Sequence, residues 1–169
     1  MNIRRATIFD ADQIAQVHVH SRQAIYGGYL PNQFLDNLSQ KKRSDEWRER
    51  LEQGIVVWIV ENKETIFGFI STCPTRDVAD DPNEVLEISA IYLLPKYWGK
   101  GFGTKLCRVV FDYAIQNKYK MITLWVLESN IQARNFYELL GFHTTGDIKI
   151  DHIGCEKLPV IKYKKNIYP

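Results

Sequence analysis

The residues best suited to holding a ligand form a glycine-rich run, Trp98-Gly99-Lys100-Gly101-Phe102-Gly103-Thr104, between a strand-like and a helix-like segment. Glycines let the backbone turn tightly there and bring successive N–H groups against a ligand without side-chain obstruction. The following helix start adds unpaired N–H donors and a partial positive charge, which suits a phosphate or diphosphate. That helix-end field is worth only about 0.3–1 kcal/mol. Hydrogen bonds from N–H groups to a charged acceptor contribute roughly 1.5–3 kcal/mol each, so the amides dominate. Two familiar phosphate loops do not fit: the dinucleotide spacing would need glycine at Thr104 or Leu106, and a P-loop would need Ser or Thr directly after Gly99-Lys100. Taken alone, the run is equally a plain structural turn.

Other reactive side chains carry weaker signals. Cys73, Cys107 and Cys155 are odd in number and far apart, unlike a disulfide framework or a zinc site, and read as thiols in a reducing compartment. His18 and His20 lie two apart on a helix and so face differently, and His143 and His152 lack ligand-spaced companions, so no metal is expected. Asp77, Asp80, Asp81 and Glu84 form an acidic stretch that reads as a solvated loop, with attraction of a cationic acceptor as the rival reading. Lys162, Lys164 and Lys165 alternate with Tyr163 as on a solvated edge strand rather than a nucleic-acid patch.

The whole chain must position these groups. Its 169 residues suit one domain over 1–169, and 45% hydrophobic with 25% charged residues is a globular mixture. A net charge of +2 argues against a protein that coats nucleic acid. The first residues lack the apolar stretch of a secretory signal, and no apolar run is long enough to span a membrane, so a cytoplasmic protein without a membrane partner is expected. The pattern predicts a strand over Ile3–Thr7 and a helix capped by Asp10 or Asp12 that runs to about Ile25 and stops at Gly27-Gly28. Helical segments follow from Pro31 and through Trp47 to Gly54. A hairpin of Ile55–Glu61 and Thr65–Thr72 is predicted, then a strand over Val85–Leu93. Leu106, Val109, Val110, Tyr113 and Ala114 mark a helix by their spacing. Met121–Leu127 reads as a strand, Asn130–Leu140 as a helix stopped by Gly141, and Thr144–Lys149 and Val160–Lys165 as closing strands. The sum is an α/β (α+β) fold.

Two stretches in this order carry a resemblance. They are Ala90-Ile91-Tyr92-Leu93-Leu94-Pro95 with the glycine run, and Leu124-Trp125-Val126-Leu127-Glu128-Ser129-Asn130-Ile131-Gln132-Ala133-Arg134-Asn135-Phe136-Tyr137-Glu138-Leu139-Leu140-Gly141-Phe142. Together they resemble the GCN5-related N-acetyltransferase (GNAT) family, and Ser21–Pro31 looks like its small-molecule-acetylating members. The resemblance implies a mixed, mostly antiparallel sheet of about seven strands flanked by about four helices. It also implies acetyl-CoA as cosubstrate, with no metal, and a primary amine on a small molecule as acceptor. Acetylation of peptide or protein N-termini and a non-catalytic acyl-CoA-binding module stay open as alternatives. One departure stands out: Trp98 replaces the Gln or Arg that opens the family's loop, leaving Lys96 and Lys100 as charge partners for the phosphates.

By this resemblance, main-chain groups of Ile91, Tyr92 and Leu93 pair with the pantetheine arm, and Trp98, Gly99, Lys100, Gly101, Phe102, Gly103 and Thr104 surround the diphosphate. Asn130 and Ala133 belong to the same cofactor set. Tyr137, two turns beyond Asn130, donates a proton to the coenzyme A sulfur, or else is a core aromatic. Glu87 is the base for the amine, directly or through water, or else a solvated strand-end carboxylate. Phe136 and Phe142 read as core. Tyr26, Tyr29 and Trp47 line the acceptor pocket or pack inside. Cys73, in a loop beside Pro74, and Cys107, within a helix, lack a histidine partner, so direct transfer in a ternary complex is expected rather than an acetyl-enzyme. The last strand would offer an edge for a homodimer.

Overall fold

The computed structural model describes every residue except Tyr29, Cys155 and Pro169. A short strand β1 (Asn2–Arg5) and a 3₁₀ turn (Ile8–Asp10) lead into α1 (Ala11–Tyr26), α2 (Asn32–Asp36) and α3 (Gln40–Glu52). Strands β2 (Val56–Asn62), β3 (Thr65–Pro74) and β4 (Val85–Leu93) follow, then a 3₁₀ turn (Pro95–Tyr97) and α4 (Phe102–Gln116). The chain closes with β5 (Met121–Leu127), α5 (Ile131–Leu139), β6 (His143–Ile153) and β7 (Glu156–Asn166). The strands hydrogen-bond in the order β1-β2-β3-β4-β5-β7-β6 as a 7-stranded sheet. No helix of the described residues is long and apolar enough to cross a membrane.

Contacts group the chain into two compact units, Met1–Thr72 with Ala90–Val109, and Cys73–Ser89 with Val110–Pro169. In the first, β1 and β3 flank β2, each antiparallel to it. The β2–β3 turn runs through Lys63 and Glu64, both at positive φ (46° and 64°), the backbone of a tight hairpin made here without glycine. Ala11, Ile14, Ala15 and Val17 of α1 form one core with Trp47, Val57, Ile59 and Phe69, against which Ala90, Tyr92 and Leu94 pack. Gly68 is needed for that packing, because a Cβ there would come within 2.2 Å of Leu93 Cδ2. Asp10 does not cap α1 through its side chain. Instead it accepts from the Thr7 N–H at 2.7 Å and pairs with Arg4 at 2.8 Å, and Arg4 also reaches Glu61 at 3.1 Å. The hydrogen bond from Arg4 holds the Asp10 carboxyl below its ordinary range.

In the second unit β4 runs parallel to β5 over Val85–Ile88, paired with Met121–Leu124. The strand is buried over that stretch and half-buried from Ser89 to Leu93. β7 lies between β5 and β6, antiparallel to both, so the last strand is not the free edge expected from its sequence. Both closing strands are also longer than the pattern suggested, and α2 brings the α-helices to one more than expected. Lys162, expected on a solvated edge, is buried and bonds Asp80 at 2.7 Å and Asp77 at 2.9 Å. Burial opposes its charge, and the hydrogen bonds it donates to Asp80 and Asp77 outweigh that, so it titrates above an ordinary lysine. Glu84 pairs with Lys120, and Asp81 accepts from the Asn83 N–H at 2.8 Å. The acidic stretch therefore folds back on the chain's own donors and is not an open lure for cations.

Candidate active site

In the first unit the glycine run joins β4 to α4. Gly99 and Gly101 adopt positive φ (68° and 78°), where an L side chain is strained, and a Cβ on either would meet nothing within 4 Å. The loop is tied at its entry: Tyr97 N–H donates to Leu94 O at 2.9 Å and Trp98 N–H to Pro95 O at 3.0 Å. The Lys105 N–H, donating to Gly101 O at 3.2 Å, opens the helical ladder. Between those ties, the amides from Gly99 to Thr104 find no main-chain acceptor among the described residues. Consecutive free donors at a helix start form an anion cradle. Lys96 and Lys100 lie over the Tyr97 ring at 5.2 and 5.9 Å and Lys105 over Phe102 at 5.7 Å, and among the described residues no carboxylate pairs with any of them. Phe102 packs edge-on against Phe67 at 5.0 Å, and Phe67 stacks on Tyr97 at 4.0 Å, which gives the turn a rigid floor.

Trp98 has a role its sequence did not reveal. Its indole Nε1–H donates to Leu93 O at 2.7 Å and pins the loop to the end of β4. Ser21 Oγ–H of α1 donates to the same carbonyl at 3.0 Å. Both N–H groups of Trp98 are thus engaged within the chain, and its contribution is to hold the loop. Helical spacing puts Ser21 on one face with Ile14, Val17, His18 and Ile25, but its bond to Leu93, far away in sequence, leaves no mark there.

The second unit holds the groups able to move protons. Glu87 is buried, which overturns the picture of a solvated strand-end carboxylate. Its Oε2 accepts from the Arg76 main-chain N–H at 3.0 Å and from Arg76 Nε at 3.3 Å, and its Oε1 accepts from the Arg76 terminal nitrogen. The hydrogen bond to Glu87 raises Arg76 above an ordinary arginine. Arg76 escaped the sequence reading because it looked like one more polar loop residue. The pairing of Thr75 N–H with Val85 O at 3.0 Å is what brings it alongside Glu87.

Asn130 caps α5, its Oδ1 accepting from the Ala133 N–H at 3.1 Å. That removes the Ala133 amide as a donor to a ligand and leaves the Asn130 amide group with its N–H bonds to offer. Tyr137 is buried, with Phe136, Phe142 and Tyr163 rings at 5.3, 5.8 and 6.5 Å. Phe142 is core as expected, while Phe136 is half-buried. The Tyr163 hydroxyl donates to Glu138 at 2.7 Å and accepts from Arg134 Nε at 3.1 Å, and burial pushes its pKa up. Trp47 belongs to the first unit's core, Tyr26 is half-buried, and Tyr29 and Cys155 lie outside the described residues. Cys73 sits inside β3, not in a loop, and burial pushes the Cys107 thiol up to about 12, far from a thiolate nucleophile.

Comparison with known proteins agrees with this arrangement. The model of the acetyltransferase (GNAT) family matches residues 22–142. The N-acetyltransferase YuaI of Bacillus subtilis, itself named uncharacterized, is 31% identical over 130 residues, covering 77% of this chain and 73% of its own. An Archaeoglobus fulgidus N-acetyltransferase, also named uncharacterized, is 28% identical over 137 residues, covering 81% and 89%. Among solved structures, Salmonella typhimurium yncA with acetyl-CoA superposes with a TM-score of 0.75 at 20% identity, over 100% of this chain and 95% of its own. The Thermoplasma acidophilum paia N-acetyltransferase in complex with coenzyme A gives 0.70 at 19% identity, over 98% of each chain. The extent of the family match, the relatives and the shared fold lead to one statement: this chain belongs to the acetyltransferase (GNAT) family.

Proposed function

We propose that the chain works as one catalytic domain that transfers the acetyl group of acetyl-CoA to a primary amine of a small molecule, directly, in a ternary complex. The observation that carries this is the row of free amides from Gly99 to Thr104, at positive-φ glycines with open space above them. A diphosphate supplies the acceptors those donors lack, and Lys96 and Lys100 add charge. The half-buried end of β4, Ile91 to Leu93, offers main-chain groups to the amides of a pantetheine arm as one strand does to another.

When bound, acetyl-CoA supplies an activated thioester, and the chain's task is proton management. An alkylamine of pKa about 10.4 is neutral roughly once in 2,500 at pH 7, a bias of about 4.6 kcal/mol. Glu87, held by Arg76, takes the amine's proton, directly or through a water. The amine nitrogen forms its bond to the carbonyl carbon, the carbon–sulfur bond breaks, and Tyr137 gives its phenolic proton to the leaving thiolate. Asn130 holds the cosubstrate near the start of α5. The buried, protonated Cys107 supports direct transfer over an acetyl-enzyme.

Tyr137→Phe tests the assignment. Loss of a positioned proton donor lowers kcat about 10²–10³-fold, while the Kd for acetyl-CoA stays within about threefold. Thiol release gives the first number and calorimetry the second. An unchanged kcat removes Tyr137 from the chemistry, and absence of any heat with acetyl-CoA removes the cosubstrate.

A further inference from the structure

Beside β4, α1 and α3 carry more guanidinium charge than the chain matches with carboxylates. His18, Arg22 and Tyr26 recur every four residues on α1, and Arg43, Trp47 and Arg50 at four and three on α3, so each set shares a helix face. The faces meet where Trp47 Nε1–H donates to His18 Nδ1 at 3.1 Å, and His18 stacks on Tyr92 of β4 at 4.5 Å. Arg22 lies over the Tyr26 ring at 5.2 Å and Arg50 over Trp47 at 5.3 Å. Arg43 pairs with Glu46 at 2.6 Å, and among the described residues neither Arg22 nor Arg50 has a carboxylate partner. Arg22 Nε is buried and donates to nothing among the described residues.

Guanidinium groups do not shed their protons to relieve such crowding. Burial above all, with the positive charges of Arg22 and Arg50 adding to it, pulls Arg43 below its ordinary value against the opposing charge of Glu46. An anion is the relief still open to this corner, and it abuts the part of β4 where the acyl group would lie, since His18, one turn before Arg22 on the same face, stacks on Tyr92. A planar carboxylate matches the guanidinium fork with two parallel hydrogen bonds.

We propose that the acceptor amine carries a carboxylate, and that Arg22, with Arg43 and Arg50 beside it, is the group that binds it. This rests on the acetyl-transfer reading above and names its substrate class, an amino acid or similar amino-carboxylic acid. It runs against a polyamine, whose positive charges this corner repels.

The test pairs α- and ω-amino acids with their carboxamides, and adds aminoalkylphosphonates. Binding to the coenzyme A-loaded protein is followed by calorimetry, then acetyl transfer by thiol release. At least one acid is expected to bind roughly a hundredfold or more tightly than its amide, as for sites that lose a partner for a buried polar group. Arg22→Gln is expected to equalise the pair with the Kd for acetyl-CoA within about twofold, and Arg22→Lys to recover part of the preference. If Arg22→Gln does not fold, Arg50→Gln on the exposed side reads the same loss at smaller size. Equal binding of every acid and amide, or binding of none, overturns the proposal, and a preference for phosphonates overturns the carboxylate. Acid-selective binding that Arg22→Gln abolishes, without transfer to any amine, upholds the anion site and counts against the acetyl-transfer reading instead.

Discussion

Near the candidate chemistry the two units treat charge in opposite ways, although the first also holds matched pairs such as Arg4 with Asp10 and Glu61. In the second, the ionic groups near the candidate chemistry are matched: Arg76 with Glu87, Lys162 with Asp77 and Asp80, and Arg134 and Glu138 joined through the Tyr163 hydroxyl. In the first, donors are left over. The amides from Gly99 to Thr104, the lysines around them and the Arg22 guanidinium have no carboxylate or carbonyl to meet among the described residues. Of these donors Arg22 Nε is buried, and buried polar groups are nearly always satisfied, so it marks a place for an outside partner, while the amides from Gly99 to Gly101 are open to solvent and to a ligand alike. On the function proposed above, the first unit would grip anionic ligands, and the second would hold an acid and a base in fixed positions.

The sharpest way to break that contrast is at Gly101. Valine there must adopt a φ near +78°, which costs a β-branched residue at least about 1–2 kcal/mol and moves the amides. Acetyl-CoA affinity is expected to fall about a hundredfold or more with unchanged far-ultraviolet dichroism, and calorimetry reads it. Retained affinity would mean that the cradle is only a turn.

On the matched side, Lys162→Met leaves two carboxylates facing each other without a cation. Breaking a buried pair costs about 3–5 kcal/mol, and the partial exposure of Asp77 reduces this to about 2–3 kcal/mol of unfolding free energy. Urea melts measure it, with little change expected in the Kd for acetyl-CoA. A large loss of binding with full stability would reverse the division of labour.

A smaller effect lies in pH. Burial, with help from Arg43, Arg22 and Arg50, lowers the His18 pKa to about 2, so the folded chain keeps it neutral while the unfolded chain protonates it near 6.5. Between those values the unfolded state binds the extra proton, so stability is complete above about pH 6.5 and declines as pH falls. The expected slope is about 1.4 kcal/mol per unit. His18→Gln should flatten that limb in melts between pH 7 and 5, and an unchanged slope would place the titration elsewhere.

What could be read from the sequence followed the range of the forces involved. β4, β5 and α5 were legible within a residue or two, because strands buried on both faces show as short runs rich in apolar residues, and a helix buried on one face marks every third or fourth position. The glycine turn was legible because positive φ leaves a mark in residue type. Long-range pairings left none. Lys162 looked like a solvated lysine until β7 proved interior, and Glu87 looked like a strand-end carboxylate until Arg76 folded back onto it. The arginine corner was equally hidden, since it depends on α1 and α3 facing each other, which two amphipathic patterns do not encode.

Trp98 gives the protein an optical property of its own. Trp47 and Trp58 are buried, while Trp98 and Trp125 are half-buried, Trp98 with its indole N–H clamped on the Leu93 carbonyl at the mouth of the turn. Its fluorescence therefore responds to the polarity around that turn. With Trp125 replaced by phenylalanine, binding of the proposed cosubstrate at the turn would be followed as a change in emission, without attaching any dye.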